Sequence, residues 1–142
     1  MQSQIKDFIT AHHLLSMGVQ DSAGVHMASC FYAFDEARLA LLIKSEASTK
    51  HLSLARECSD IGITIAPETS ILKDIKGLQA RAMLLLATEE QEGVYYARFP
   101  FARLGGGVVC ALEIYWAKYT DNKLLSARKL EYRREGSRCG ES

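Results

Sequence analysis

A mainly β domain with helices at its periphery, its antiparallel strands closed or split into a small barrel, is the fold the sequence predicts. Three observations lead there. Apolar segments of strand length recur along the chain. In one of them Ile61, Ile63 and Ile65 alternate with Gly62, Thr64 and Ala66, the period of two that marks a half-buried strand. Successive segments are mostly separated by short reversals, such as Asp21-Ser22-Ala23-Gly24 and Asp35-Glu36, which join antiparallel neighbours. Finally, about six strands with helices interspersed suit a small barrel, whose interior has little space for a cofactor. A ligand would then sit outside it, in a groove or a subunit interface.

The elements follow in order. Ile5, Phe8, Ile9 and His12 share one face of a helix expected over Ser3 to His13. Leu14 to Gln20 reads as a strand, closed by the Asp21–Gly24 turn. A second strand runs from Val25 to Phe34 and reverses at Asp35-Glu36. Leu39 to Lys44 forms the third and leads into Ser45-Glu46-Ala47-Ser48-Thr49-Lys50-His51. Ser48 is the expected N-cap of a helix from Thr49 to about Cys58, with Leu52, Ala55 and Cys58 on its buried side. Pro67 ends the Ile61 strand. Ile75 to Leu86 is a long strand with Leu78, Ala80, Ala82, Leu84 and Leu86 on one face and Gly77, Gln79 and Arg81 on the other. Thr88 and Gln91 have capping-box spacing at the start of a helix that carries Val94, Tyr95, Tyr96 and Ala97 and breaks before Pro100. Gly105-Gly106-Gly107 reads as a flexible connection. A last strand, Val108 to Tyr119, places Leu112, Ile114 and Trp116 on one face. The turn Thr120-Asp121-Asn122 then precedes a basic segment from Lys123 to Arg138.

Composition narrows the function classes. The 142 residues show no repeat or linker and read as one domain over 1–142. The 17 basic and 17 acidic residues cancel, which disfavours a general nucleic-acid-binding role. No apolar run reaches membrane-spanning length, and Met1 to Thr10 is too polar for a signal peptide. Cys30, Cys58, Cys110 and Cys139 lie far apart with no CxxC pair, so a reduced, cytoplasmic protein without a zinc knuckle is expected. His12 and His13 are adjacent on a helix and cannot grip one metal together, and HExxH is absent; no metal site is expected. GxSxG and P-loop patterns are absent too, and the triple glycine lacks GxGxxG spacing.

The loop after Lys44 carries the sharpest chemical signal. A helix N-terminus presents unpaired N–H groups and partial positive charge, so Ser45, Ser48, Thr49 and Lys50 compose a cradle for an anion, most naturally a phosphate. A lysine in the first turn costs roughly 0.3–1 kcal/mol, which a bound anion would offset. The plainer reading is an N-cap serine and a solvated lysine, with Glu46 as the local counter-charge. Gln79 and Arg81, beside Gly77, can hydrogen-bond a planar heterocycle or a phosphate, or else face solvent on an edge strand. Cys30 reads as inert core. Trp116 and Tyr119 either stack on a flat ring or pack in the core or an interface.

The order of these motifs resembles the pyridoxamine 5'-phosphate oxidase-like split-barrel flavoproteins. The segments that carry the likeness are Met27-Ala28-Ser29-Cys30-Phe31-Tyr32-Ala33-Phe34-Asp35, Leu39-Ala40-Leu41-Leu42-Ile43, Ser48-Thr49-Lys50-His51-Leu52 and Ile75-Lys76-Gly77-Leu78-Gln79-Ala80-Arg81-Ala82. Within that superfamily, Gly77-Leu78-Gln79, Arg98-Phe99-Pro100-Phe101-Ala102-Arg103 and Tyr119-Thr120-Asp121-Asn122 are similar to the small bacterial YhbP group. The resemblance implies a six-stranded Greek-key split β-barrel that forms a homodimer with FMN between the subunits. By position, Lys50 with Ser48 or Thr49 would hold the FMN phosphate. Ser29, Cys30 and Phe31 would lie along the isoalloxazine ring, and Gln79 and Arg81 on a strand contributing to the flavin site. An FMN-dependent oxidoreductase acting on a small-molecule substrate is the implied activity. The C-terminal Arg-x-His of pyridoxamine phosphate oxidase is absent, since Arg133-Arg134-Glu135 does not supply it, so that enzyme's substrate is not expected. Two alternatives accompany this reading. One is haem held in the dimer groove by His26 or His51; the other is a non-catalytic dimeric module that binds a ligand or protein partner.

Overall fold

Residues 1–46, 60–122 and 128–134 are described in a computed structural model of the chain. Helix α1 (Ser3–Ala11) buries Ile5, Phe8 and Ile9 at helical spacing against the sheet. Full burial of side chains of this size is worth about 1.5–3 kcal/mol each. The helix stops before His13 because His12 is already extended, and the chain enters β1 (Leu14–Asp21). The Ile9 carbonyl left at the helix end accepts the Tyr32 hydroxyl at 2.7 Å.

Strand β2 (Gly24–Phe31) returns along β1 in the expected hairpin, with Asp21 opposite Gly24 and Leu14 opposite Phe31. Gly24 takes a positive φ of 140° at the turn. The strand expected over Val25 to Phe34 is divided at Tyr32. That residue is fully buried, and its N–H donates to the His13 carbonyl at 2.9 Å. Beyond it, β3 (Ala33–Asp35) pairs with β4 (Ala40–Ser45) instead of β1. The remaining strands are β5 (Ile61–Ile65), β6 (Lys76–Leu86), β7 (Val108–Asp121) and β8 (Arg128–Arg133). All pairings are antiparallel, in the order β2-β1-β5-β6-β7-β4-β3, with β8 also on β7. Since β2 runs straight into β3, the chain joins the two ends of this order and the sheet curls into a half-barrel.

Eight strands therefore stand among the described residues where six were expected. One extra comes from the break at Tyr32. The other is β8, drawn from the basic segment, whose Leu130 and Tyr132 pack against the core. Burial along β5 alternates as expected, with Ile61, Ile63 and Ile65 inward. The inward face of β6 holds through Leu84, but Leu86 is 71% exposed.

β7 is where the barrel splits. One side pairs with β6 throughout; the other pairs with β4 from Val108 to Glu113 and with β8 from Trp116 to Asp121. Arg134 fills the fork. Its guanidinium pairs with Glu113 and donates to the Arg38 carbonyl at 2.7 Å, while its own N–H donates to the Tyr115 carbonyl at 2.8 Å. The register with β6 passes from Arg81 opposite Trp116 to Ala82 opposite Ile114, leaving Tyr115 as a bulge. The bulge reverses the alternation: Cys110, Leu112 and Ile114 face the core before it, Ala117 and Tyr119 after it. Trp116 consequently lies on the opposite face from Leu112 and Ile114, correcting the shared face expected from a straight strand.

Helix α2 (Glu89–Arg98) starts in the expected capping box. Thr88 Oγ1 accepts the Gln91 N–H at 3.2 Å and Gln91 Oε1 accepts the Thr88 N–H at 3.0 Å. The Gln91 amide also donates to Asp35 at 2.9 Å, fixing the helix to the β3–β4 turn. Tyr95 packs with Ala33, Leu42 and Ala111 in a second apolar cluster. A 3-10 turn, Pro100–Leu104, follows. Gly107 is no loose connection: its φ is 105°, and a Cβ there would stand 2.8 Å from the Ser45 carbonyl oxygen, so glycine is required. The helix expected over Thr49 to Cys58, with its Ser48 cap, lies outside the described residues.

Candidate cofactor groove

The outer faces of β2, β1, β5, β6 and β7 carry two registered rows of residues. In one, Ser29 stands opposite Ser16, then come Thr64, Gln79 and Lys118. The other, about 7 Å along the strands, runs Met27, Gly18, Gly62, Arg81 and Trp116. A groove of about 470 Å³ lies over these rows, within the roughly 300–1,000 Å³ typical of small-molecule sites.

Its floor carries no side chain of its own at two neighbouring positions, because Gly18 and Gly62 pair with each other in the middle of the sheet. A Cβ on Gly62 would meet nothing within 4 Å, so the space above it belongs to the groove. Met27 leans over Gly18, where an added Cβ would lie 2.7 Å from its sulfur, the movable end of a flexible side chain. Met27 and Val25 form an apolar wall, 65% and 63% exposed. Trp116 forms the opposite wall. Its indole N–H donates to Glu131 at 2.7 Å, and the Arg81 guanidinium lies 5.0 Å from its ring centroid. The Trp116 hydrogen bond, then Arg133, hold the Glu131 carboxyl below the usual range. Asp60 lines the groove and accepts the Tyr115 hydroxyl at 2.8 Å. A floor left open above Gly62, between an aromatic wall and the thioether that covers Gly18, with a polar row alongside, suits a planar heteroaromatic guest.

The structure distributes the sequence-derived candidates over three places. Gln79 and Arg81 line the groove. Ser29 and Phe31 share the outer face of β2, with the Phe31 ring stacked on His13 at 5.8 Å. Cys30 points the other way, packs against the core, and burial pushes its thiol pKa up. Ser45 ends β4 opposite Val108, roughly 25 Å along β7 from Trp116. Ser48, Thr49 and Lys50 lie outside the described residues, in the segment joining Ser45 to the groove residue Asp60. His26 is on the opposite face of β2 from Val25 and Met27, turned from the groove; His51 lies outside the described residues.

Sequence reasoning missed the floor. Gly18 and Gly62 each interrupt the outward face of a strand, a pattern that signals close approach of another group. Trp116 was a stacking candidate, but the bulge at Tyr115 hid the face it takes. No three His, Cys, Asp or Glu side chains gather as metal ligands among the described residues, and no helix among them is long and apolar enough to cross a membrane.

Fold and groove together define a split-barrel protein with an open groove on the outer face of its sheet. Solved structures share the fold at low identity. A FAD-binding protein from Mesorhizobium loti matches with a TM-score of 0.68 at 11% identity, covering 80% of this chain and 87% of that one. A haem-binding protein from Mycobacterium smegmatis matches at 0.69 and 8%, covering 86% and 54%. A Clostridium acetobutylicum protein related to general stress protein 26, of the pyridoxinephosphate oxidase family, matches at 0.66 and 9%, covering 92% of each. No family model matches the sequence. The chain belongs to the UPF0306 family: it is 44% identical over 133 residues to a UPF0306 protein of Campylobacter jejuni, covering 93% of this chain and 98% of that protein. A Serratia proteamaculans UPF0306 protein is 32% identical over 137 residues, covering 94% and 95%.

Proposed function

We propose that the chain is an FMN-binding protein that holds the flavin ring in the outer-face groove and acts as an FMN-dependent oxidoreductase on a small molecule. The observation that carries this reading is the paired Gly18–Gly62 floor between Trp116 and Met27. A Cβ on Gly62 would project into the space a flat ring needs. The FAD-binding and pyridoxinephosphate oxidase family neighbours support a flavin on this fold. Bound FMN supplies the hydride and electron chemistry, and the protein supplies anchoring and electrostatics.

In this reading Ser48, Thr49 and Lys50 bind the phosphate, and Ser45 roots their segment at the end of β4. Ser29, Gln79 and Arg81 meet the ring and its polar edge, Phe31 extends the apolar margin, and Cys30 supports the strand from behind. A second copy of the chain covers the groove, supported by the exposed Val25, Met27, Phe31 and Leu14 on the same sheet face. Kinship to the YhbP group, on the Gly77-Leu78-Gln79 and Arg98–Arg103 motifs, is part of the same reading. A cytoplasmic setting is part of the same reading.

The absorbance spectrum of protein purified without added cofactor tests the assignment. Flavin bands, lost on washing from Lys50→Ala but retained by the parent chain, are the expected result. A Soret band removed by His51→Ala would assign the site to haem instead. A colourless protein that takes up neither FMN nor haem would reject both.

A further inference from the structure

Arg81 is the lysine or arginine that lines the groove among the described residues. Among the described residues it has no carboxylate in ion-pair range, and its contact is with the face of Trp116 at 5.0 Å. The neighbouring charges are engaged elsewhere. Glu131 accepts from Trp116 and pairs with Arg133 at 3.0 Å, and Asp60 accepts the Tyr115 hydroxyl. The Arg81 position is therefore set: its strand register faces Gly62 across the floor, and an indole oriented by Glu131 backs its guanidinium. A guanidinium stacked on an aromatic keeps its in-plane donors free for a planar anion.

We infer that Arg81 is the specificity-determining residue of the groove and selects guests whose ring edge carries negative charge over neutral ones. This rests on the reading of the groove as a flavin site for the identity of the guest. Oxidised flavin is neutral in its ring. Two electrons and one proton leave the ring anionic at neutral pH, so Arg81 favours the reduced form.

The test follows Trp116, the one tryptophan in the sequence, whose fluorescence reports occupancy of the groove. Wild-type protein, Arg81→Gln and Arg81→Lys are titrated with oxidised FMN, and with FMN reduced by dithionite under anaerobic conditions. The midpoint potential of the bound FMN is measured against a reference dye. In Arg81→Gln the reduced form is expected to bind about tenfold more weakly while the oxidised form changes less than about twofold. The potential then falls by about 30 mV, the equivalent of tenfold for a two-electron couple. Arg81→Lys keeps the charge and should retain most of the wild-type potential. Equal weakening of both redox forms in Arg81→Gln, or a lysine variant as depressed as the glutamine one, would overturn the inference and leave the flavin reading standing. Failure of either form of FMN to quench Trp116 in the wild-type protein would remove both. Thermal melts of the three proteins establish that the variants are folded.

Discussion

Replacing Gly62 with valine separates folding from ligand binding, because the two place opposite demands on that position. Gly62 sits in the interior of β5 with no positive φ, and a Cβ there would meet nothing within 4 Å. The fold itself has no steric use for the missing side chain. Glycine in a strand costs roughly 0.5–1 kcal/mol in backbone entropy, and valine is among the residues best suited to a pleated surface. Gly62→Val should therefore raise stability by roughly 0.5–1 kcal/mol, or about 1–4 °C in Tm for a chain of this size. A ring lying on the Gly18–Gly62 floor would meet the added methyls instead. Overpacking a close-fitting site costs about 1–3 kcal/mol, which corresponds to a roughly 5- to 150-fold loss of affinity. Circular-dichroism melts give the first quantity and Trp116 quenching by FMN the second. Unchanged FMN affinity would refute the placement of the ring on the floor. A lowered Tm would show that the glycine is required by the fold or by a chain packed against it.

Thr88→Ala removes one half of the capping box and should cost about 0.5–2 kcal/mol in urea unfolding, with Thr88→Ser restoring most of it. Gly107→Ala forces a Cβ against the Ser45 carbonyl at a positive φ and should destabilise by about 1–3 kcal/mol; a neutral result would show that this junction readily relaxes. Burial raises the pKa of the Tyr32 hydroxyl in the folded chain, with Arg98 working in the opposite direction. The contribution of this group is complete below the unfolded value of about 10 and is lost as pH rises beyond it, because the unfolded chain gives up the proton first. Urea midpoints should thus decline above about pH 10, and Tyr32→Phe should decline less steeply while starting about 1 kcal/mol lower through loss of the Ile9 hydrogen bond.

What the sequence reveals and conceals follows from the range of the interactions. Capping of α2 and alternation along β5 depend on residues within a few positions of each other, and both are legible. The division at Tyr32 is not, since Met27 to Phe34 is an unbroken β-forming run; the break exists because Tyr32 reaches Ile9 and its N–H reaches His13. The bulge at Tyr115 is equally silent, being defined only by pairing with β6, and it alone decides that Trp116 faces the groove. Strand β8 did have a signal, Leu130 and Tyr132 two apart, but Arg128, Lys129, Glu131 and Arg133 masked it as a charged tail. Gln79 and Arg81 were recognisable as a polar pair. Their partners on the floor were not, because a glycine announces a ligand only once its neighbours across the sheet are known.

The fork on β7 has a consequence for how the molecule breathes. Arg134 ties the end of β8 to Arg38, 96 positions earlier in the chain, while Glu131 in the same strand steers the indole that walls the groove. Peeling β8 away would thus release both the turn before β4 and the wall of the groove. By reciprocity, a guest that prefers the wall in place must hold the strand down. Amide protons of residues 129–133 should then exchange more slowly as the groove fills, although none of them need touch the guest.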